Sequence, residues 1–309
     1  MMRFWAPDNL RLVTSGRWLK RTDELEQFEP TGVSTDTRAL QRGQMFVALR
    51  GDRFDGHDYL ELAAEKGASV LVVDQESAGL AVEAAGVTVL LVDDTYAALS
   101  RLAGAYRKTL GATVIAITGS VGKTTTKQMI HAVLGTAYNG TASPKSFNNH
   151  IGVPLTLLNA RPTDRYIVVE VGTNAPGEIA ALAKMVEPDV AIITYIGSAH
   201  LERLGSKQGI ADEKASLLRF IREDGIAIVN GDVAELSEHL KAVKRLVRFG
   251  TGDANDLRLS RCENIDGGIE FTINERATFR VPMLGKHNAI NAVATVAVGR
   301  HMNLADESI

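Results

Sequence analysis

The chain has 309 residues, 45% of them hydrophobic and 23% charged, a soluble globular composition and a length that favours two domains over one. A net charge of −3 points away from nucleic acid, and the lone cysteine, Cys262, rules out an internal disulfide and argues against a cysteine-based zinc site. Residues 1–10 lack the apolar core of a signal peptide, and no apolar run approaches the roughly 20 residues that span a bilayer, so a reducing cytosol is the expected setting.

In chain order, 10–18 reads as a short strand and turn. Residues 31–38 (TGVSTDTR) are turn-type, and Arg38 has the geometry to fork onto a phosphate. The run 44–49 (QMFVAL) predicts a buried strand, followed by the polar, glycine-bearing loop 50–58. Taken alone, each of these turns is better read as solvated. A helix over 59–66 ends at Gly67. Strands are expected at 69–74 and 87–92, with a short helix at 80–85 between them. An amphipathic helix over 95–110 places Leu99, Leu102 and Tyr106 on one face. Alternating strand and helix make an α/β unit that ends near 109–111.

The second segment opens with a strand at 114–117, the loop Thr118-Gly119-Ser120-Val121-Gly122-Lys123-Thr124-Thr125, and a helix carrying Met129, Ile130, Val133 and Leu134. A glycine turn between strand and helix start gathers backbone N–H groups and the helix dipole in one place, which suits a polyphosphate. Lys123 adds a charge for the outer phosphates, and Thr124 a hydroxyl for Mg²⁺. The usual pattern wants glycine at 117, where this chain has Ile117; the extra glycine is Gly119. Asn148 and Asn149 follow in a turn, where they either satisfy local backbone or face a ligand. Strand 166–171 carries one carboxylate, Glu170, at its C-terminal end, the end that faces the ligand crevice in parallel sheets. Burying it requires a partner or a metal, and Thr124 is the natural co-ligand. Strand 190–196 precedes a loop with His200, either a hydrogen-bonded loop residue or a ligand. Lys214 sits mid-helix in 209–223, where composition favours a solvated face. Strand 225–230, helix 233–240 and a β-rich stretch with antiparallel strands at 270–273 and 278–281 follow. Asn288 and Asn291, three apart, share a helix face, and the alternatives are base recognition or an N-cap by Asn288.

Together these residues resemble the Mur ligases, ATP-dependent amide-forming enzymes of peptidoglycan synthesis. The shared marks are TGSVGKTT (118–125), the NN-x-x-G turn (148–152), Glu170, the His200 loop, Lys214 and GKHNAINA (285–292). STDTR (34–38), MFVALRGDRFDGHDY (45–59) and EVGTNAPGEI (170–179) are similar in particular to the member that joins D-alanyl-D-alanine to UDP-N-acetylmuramoyl-tripeptide. The resemblance implies a small α/β domain at 1–108 that binds the UDP-sugar through Ser34, Thr35, Asp36, Thr37, Arg38, Arg53, Asp55 and His57. It implies a P-loop-type, mostly parallel ATPase domain at 109–309 with a small β-rich portion. There ATP would meet Gly119 to Thr125, Asn148, Asn149, Asn288 and Asn291. Two Mg²⁺ ions would meet Thr124, Glu170, His200 and a carbamylated Lys214, with Lys123, Glu170, His200 and Lys214 forming the catalytic set. A monomer is expected, without nucleic acid or a membrane span. Such enzymes carry a third, C-terminal domain, and the sequence stops at Ile309, so weak ligation by this chain is the expectation. The rivals are the tripeptide-forming sister, a folate polyglutamate ligase and a non-catalytic nucleotide-binding module.

Overall fold

The computed structural model describes residues 3–21, 29–82, 87–197 and 201–309. These fall into two units, residues through Leu110 with Leu157–Asn159, and Gly111–Thr156 with Ala160–Ile309. The first unit begins with a helix, Pro7–Thr14 (α1), and a strand, Arg17–Lys20 (β1). The apolar runs then give Val33–Ser34 (β2), Met45–Val47 (β3), Val70–Val73 (β4) and Thr88–Leu91 (β5). Between them lie the helices Leu60–Glu65 (α2) and Glu76–Ala81 (α3), and Thr95–Arg107 (α4) closes the unit. The sheet order is β1-β5-β4-β3-β2, parallel except for β1 on β5. Phe46, Leu71, Val73 and Val89 pack with Leu60 and Ala63 of α2 on one face. Along α4, Leu99, Leu102 and Tyr106 are buried, as their spacing predicts.

The second unit is built on Thr113–Thr118 (β6), which leads through a short loop into Lys123–Leu134 (α5). Gly140–Ala142 (β7), Gly152–Leu158 (α6, whose last two residues belong to the first unit), Tyr166–Glu170 (β8), Glu178–Val186 (α7) and Val190–Ile193 (β9) follow. Leu201–Leu204 (α8), Lys207–Ala215 (α9), Ile226–Asn230 (β10), Ser237–Leu240 (α10) and Leu246–Gly250 (β11) extend the same layers. Leu257–Ile265 (β12), Gly268–Ile273 (β13) and Ala277–Val281 (β14) form the β-rich end, and Lys286–His301 (α11) packs back on the sheet. Among the described residues the sheet order is β14-β13-β12-β11-β10-β9-β6-β8-β7, parallel from β7 to β12 and antiparallel beyond. Helices cover both faces, α5 and α11 over Ile115, Ile117 and Ile192, and α9 over Ile193 and Val229. That explains why these strands read as continuous apolar runs rather than alternating ones. The chain leaves β6 toward β8 and β7, then returns to β9 on the other flank. The loop after β6 therefore opens at the point where the strand order reverses, where parallel sheets form their ligand crevice.

Several stretches differ from the sequence reading, and four of them have a clear local cause. Residues 10–18 were expected as a strand and turn, but Pro7 at the first helical position, Asp8 in the first turn and a left-handed Ser15 at the end define α1 instead. The short helix expected at 80–85 lies earlier, as α3, and 83–86 fall outside the described residues. The helix expected over 209–223 starts at a Ser206 cap and changes after Ala215 to a 3-10 turn, Ser216–Phe220. Strand β12 was missed because its side chains alternate between half-buried and exposed (LRLSRCENI) and give no apolar run.

Ile117, the residue at the motif's missing glycine, is fully buried in the central strand. Completing the motif by Ile117→Gly removes a core side chain and loosens the strand, for an expected loss of at least about 3 kcal/mol. A urea melt followed by circular dichroism checks this; an unchanged midpoint would refute it.

Candidate functional site

The loop after β6 is pinned to the end of β9. The Ser120 amide donates to the Tyr195 carbonyl (2.7 Å), and the Thr194 hydroxyl donates to the Val121 carbonyl (2.6 Å). A Cβ on Gly119 would lie 2.0 Å from Thr194 Oγ1. This accounts for glycine at 119 in a chain whose position 117 belongs to the core. The first amides of α5 have no partner within the helix and face the loop, together with the positive end of the helix dipole. Lys123 Nζ folds back onto the Gly119 carbonyl (2.8 Å). Burial pushes the Lys123 ammonium below the ordinary lysine value, with the Glu170 charge partly offsetting it. Thr125 stands half-buried in the same first turn, and Val121 is exposed.

Glu170, at the C-terminal end of β8, is 1% exposed. Its Oε2 accepts from the Thr124 hydroxyl (2.9 Å) and lies 3.3 Å from Lys127 Nζ, while its Oε1 accepts from Asn148 Nδ2 (2.9 Å). The loop helix, the 143–149 turn and β8 thus converge on one carboxylate. Gly172 permits the approach, since a Cβ there would sit 2.7 Å from the Asn148 side chain. Asn149 does not join them. Its Oδ1 accepts from the amides of Ile151 (3.1 Å) and Gly152 (2.9 Å) and so satisfies the start of α6, the local alternative left open by the sequence.

Lys214 is 1% exposed, not solvated as composition suggested. Burial, reinforced by the charge of Lys123 and opposed by Glu213, brings its ammonium down to about 8. The neighbouring Glu213 accepts from the amides of Gly177 (2.7 Å) and Ile179 (2.8 Å), fixing α9 to the start of α7. On α11 both asparagines are buried. Asn288 is not the cap. Its Nδ2 donates to the Leu284 carbonyl (2.8 Å), while Asn291 lies against the loop, with its Oδ1 2.7 Å from where a Gly122 Cβ would be. His200 lies outside the described residues. Among the described residues, no three His, Cys, Asp or Glu side chains cluster as a metal site.

In the first unit a cavity of about 460 Å³ is bordered by Thr35–Arg38 on one side and Phe54 and Tyr59 on the other. Ser34 is buried, its hydroxyl engaged with the backbone of Asp36. Thr37 is buried too, and its carbonyl accepts from Lys66 (2.7 Å). Arg38 is exposed and grips Asp36 in a fork, NH2 to Oδ2 at 2.7 Å, which lowers the Asp36 carboxyl. Arg53 is exposed. Asp55 and His57, expected among the substrate-binding groups, are engaged with neighbouring residues. His57 Nδ1 lies 2.6 Å from Asp55 Oδ1, and its Nε2 lies 3.2 Å from the Asp74 amide and 3.3 Å from Asp74 Oδ1. Burial alone would raise Asp55, but the amide and ring of His57 and the Gln75 side chain bring it down to about 2.

Sequence reasoning missed Lys127, Gly172, Thr194 and Glu213. Lys127 carried a readable signal: it falls one turn after Lys123, on the same face of a helix whose neighbouring positions are core. The other three gain their roles only through partners distant in sequence.

Residues 117–299, more than half of the chain, match the family described as Mur ligase middle domain, and residues 29–107 match Mur ligase family, catalytic domain. The UDP-N-acetylmuramoyl-tripeptide–D-alanyl-D-alanine ligase of Bacillus subtilis is 44% identical over 91% of this chain and 61% of its own length. The chain thus spans about three-fifths of the length of the curated relatives it matches. Among solved structures, MurF from Acinetobacter baumannii superposes with a TM-score of 0.85 at 32% identity, covering 98% of this chain and 66% of that one. The MurF ligase from Thermotoga maritima in complex with ADP gives 0.77 at 27% identity, covering 89% and 64%.

The network around Asp55 has a pH signature. An unfolded aspartate titrates near about 3.9, while folded Asp55 is held at about 2. The carboxylate's stabilisation is therefore fully present above its unfolded value and is lost as pH falls toward 2. Both tryptophans, Trp5 and Trp18, lie in the first unit. Tryptophan-monitored melts should show a steeper loss of melting temperature between pH 4 and 2 for the parent than for Asp55→Asn; parallel curves would refute the assignment.

Proposed function

The chain belongs to the Mur ligase family, and we propose that it supplies the nucleotide and UDP-sugar sites of an ATP-dependent ligase that joins D-alanyl-D-alanine to UDP-N-acetylmuramoyl-tripeptide. The observation that carries this reading is the β6 loop with Glu170 and Thr124 in contact at the sheet's crevice (2.9 Å). In the reaction a carboxylate oxygen of the peptide takes the γ-phosphoryl group and ADP leaves. The dipeptide amine then attacks the acyl carbon, loses a proton and displaces phosphate.

Each residue has a part in this reading. The α5 amides and Lys123 cradle the phosphates, and Lys123 offsets the repulsion between two anions that must meet. One buried carboxylate and one hydroxyl, both hard oxygen donors beside a phosphate cradle, fit Mg²⁺, which is habitually held by few protein groups and by phosphate oxygens. Bound there, the ion would screen charge on the transferred group. Asn148 holds Glu170 in aim, and Asn291 shapes the loop at Gly122. Lys214, buried and brought to about 8, has a sizeable neutral fraction near neutral pH. Its amine is thereby suited to adding CO₂, and the resulting carbamate would offer an oxygen ligand where a lysine offers none. In the first unit, Arg38 and the exposed rings of Phe54 and Tyr59 offer a guanidinium for a diphosphate and faces for a pyrimidine. A single cysteine accords with a cytosolic setting, and no described helix is long and apolar enough to cross a membrane.

The first test is ADP release with ATP, Mg²⁺, UDP-N-acetylmuramoyl-tripeptide and D-alanyl-D-alanine, using a protein of the relatives' full length that carries this chain. Release should require both substrates and fall at least a hundredfold in Lys123→Ala; release indifferent to D-alanyl-D-alanine would overturn the reading. The second test is carbon NMR in ¹³C-bicarbonate. A carbamate signal is expected from the parent chain and should vanish in Lys214→Arg; its persistence there would remove Lys214 from the site.

A further inference from the structure

Lys127 has no part in the reading above, yet its ammonium occupies the most constrained position around Glu170. It is 3% exposed and faces a carboxylate that is 1% exposed. One contact is Glu170 Oε2 at 3.3 Å, and the other is the backbone carbonyl of Lys145. Lys145 is a non-glycine residue in the left-handed region, at φ +45°. L-residues hold that conformation only where the surroundings over-determine it, and here it turns the carbonyl inward to the ammonium. Two residues further on, the same turn closes on β8. The Phe147 amide donates to Pro144 (3.0 Å), and the Gly172 amide donates to the Asn148 carbonyl (2.7 Å). Asn148 Nδ2 meets Glu170 Oε1 at 2.9 Å.

We propose that Lys127 is a positioning residue of the nucleotide site, its ammonium clamping Glu170 of β8 to the 143–149 turn so that Glu170 and Asn148 are aimed before a ligand arrives. The inference rests on the reading of Glu170 as the metal-facing carboxylate. A buried ion pair is weak evidence for stability, because an apolar pair of similar volume often does as well. What this pair adds is direction. A cation with three donors on a rigid helix fixes one carboxylate oxygen and one backbone carbonyl at once, leaving Thr124 and Asn148 to set the remaining geometry. The helix that presents Lys123 to phosphate thereby also fixes the carboxylate, from one turn further along.

The test compares the parent chain with Lys127→Met and Lys127→Arg. Two readouts are used, hydrogen exchange of the ligand-free chain and calorimetric binding of ADP with Mg²⁺ or with EDTA. In Lys127→Met the Phe147 and Gly172 amides should exchange at least tenfold faster while those of β6 keep their protection. The gain in ADP affinity on adding Mg²⁺ should shrink at least tenfold, with binding in EDTA altered less than twofold. Lys127→Arg, which keeps the cation, should recover most of both. Unchanged exchange and an unchanged Mg²⁺ gain in Lys127→Met would overturn the proposal, as would an equal loss of protection across β6, the mark of a merely structural ion pair. Should Lys127→Met fail to fold, Lys127→Gln carries the same readouts. Should the parent bind no ADP, the nucleotide reading fails, and exchange at Phe147 and Gly172 alone upholds or overturns the clamp.

Discussion

A carboxylate buried at the end of an apolar strand is unfavourable by several kcal/mol unless its lone pairs are met. Glu170 is in that position, 1% exposed, and the second unit's site is arranged by the ways it is satisfied. Thr124 comes from the start of α5, Lys127 from one turn further along it, and Asn148 from the turn before α6. None of the three can move far without leaving charge uncompensated. The start of α5, the 143–149 turn and the end of β8 are therefore fixed relative to one another by chemistry rather than by packing alone. Packing supplies the rest. Ile115 and Ile117 in the sheet anchor α5 through Met129 and Ile130, so the helix delivers its first amides and Lys123 to the crevice at a set height.

The first unit fixes its loop with a carboxylate and a buried ring. Its loop after β3 must leave the sheet and return, and His57 at its centre is buried. Asp55 on one ring nitrogen and Asp74 on the other hold the imidazole in place. The exposed groups, Arg53, Phe54 and Tyr59, ride on that support. A polar loop can hold a binding surface without a core of its own when a few of its side chains are turned inward as struts.

How much of this was legible in the sequence follows from whether the determining partners are local. The β6 strand, the glycine loop and α5 were legible because strand period, turn chemistry and helix period succeed one another within twenty-two residues, Thr113 to Leu134. Glu170 was legible because an acid in an apolar run is conspicuous. Lys127 was legible only in part: its place one turn after Lys123 among core positions is a local signal, but lysine is an ordinary helix former, and its partners, Glu170 and the Lys145 carbonyl, lie far along the chain. Lys214 was misjudged from composition for the same reason, its burial arising from the layer that α9 joins and from the anchoring of Glu213 on α7. Asp55 and His57 show what a sequence leaves out: polar residues in a loop read as ligand groups, and their internal contacts with one another and with Asp74 appear only in the fold. Helix α1 was read as a strand because a two-turn helix offers too few periods to outvote its flanks, and its cap geometry decides instead.

The charge balance of the second unit's site gives the arrangement its direction. Lys127 is matched by Glu170, and the Glu213 carboxylate is committed to the amides of Gly177 and Ile179. Burial lowers both Lys123 and Lys214; at Lys214 the charge of Lys123 adds to it and brings the ammonium to about 8, while at Lys123 the charge of Glu170 opposes it. Two such groups can be relieved in only a few ways: by losing a proton, by acquiring an anion, or by converting an amine to a carbamate. On the proposed function, a polyphosphate at the α5 amides would relieve Lys123, and a carbamate on Lys214 would replace a repelling cation by an anion. Glu170 shares its carboxylate among Thr124, Lys127 and Asn148, and its charge offsets the burial of Lys123 only in part.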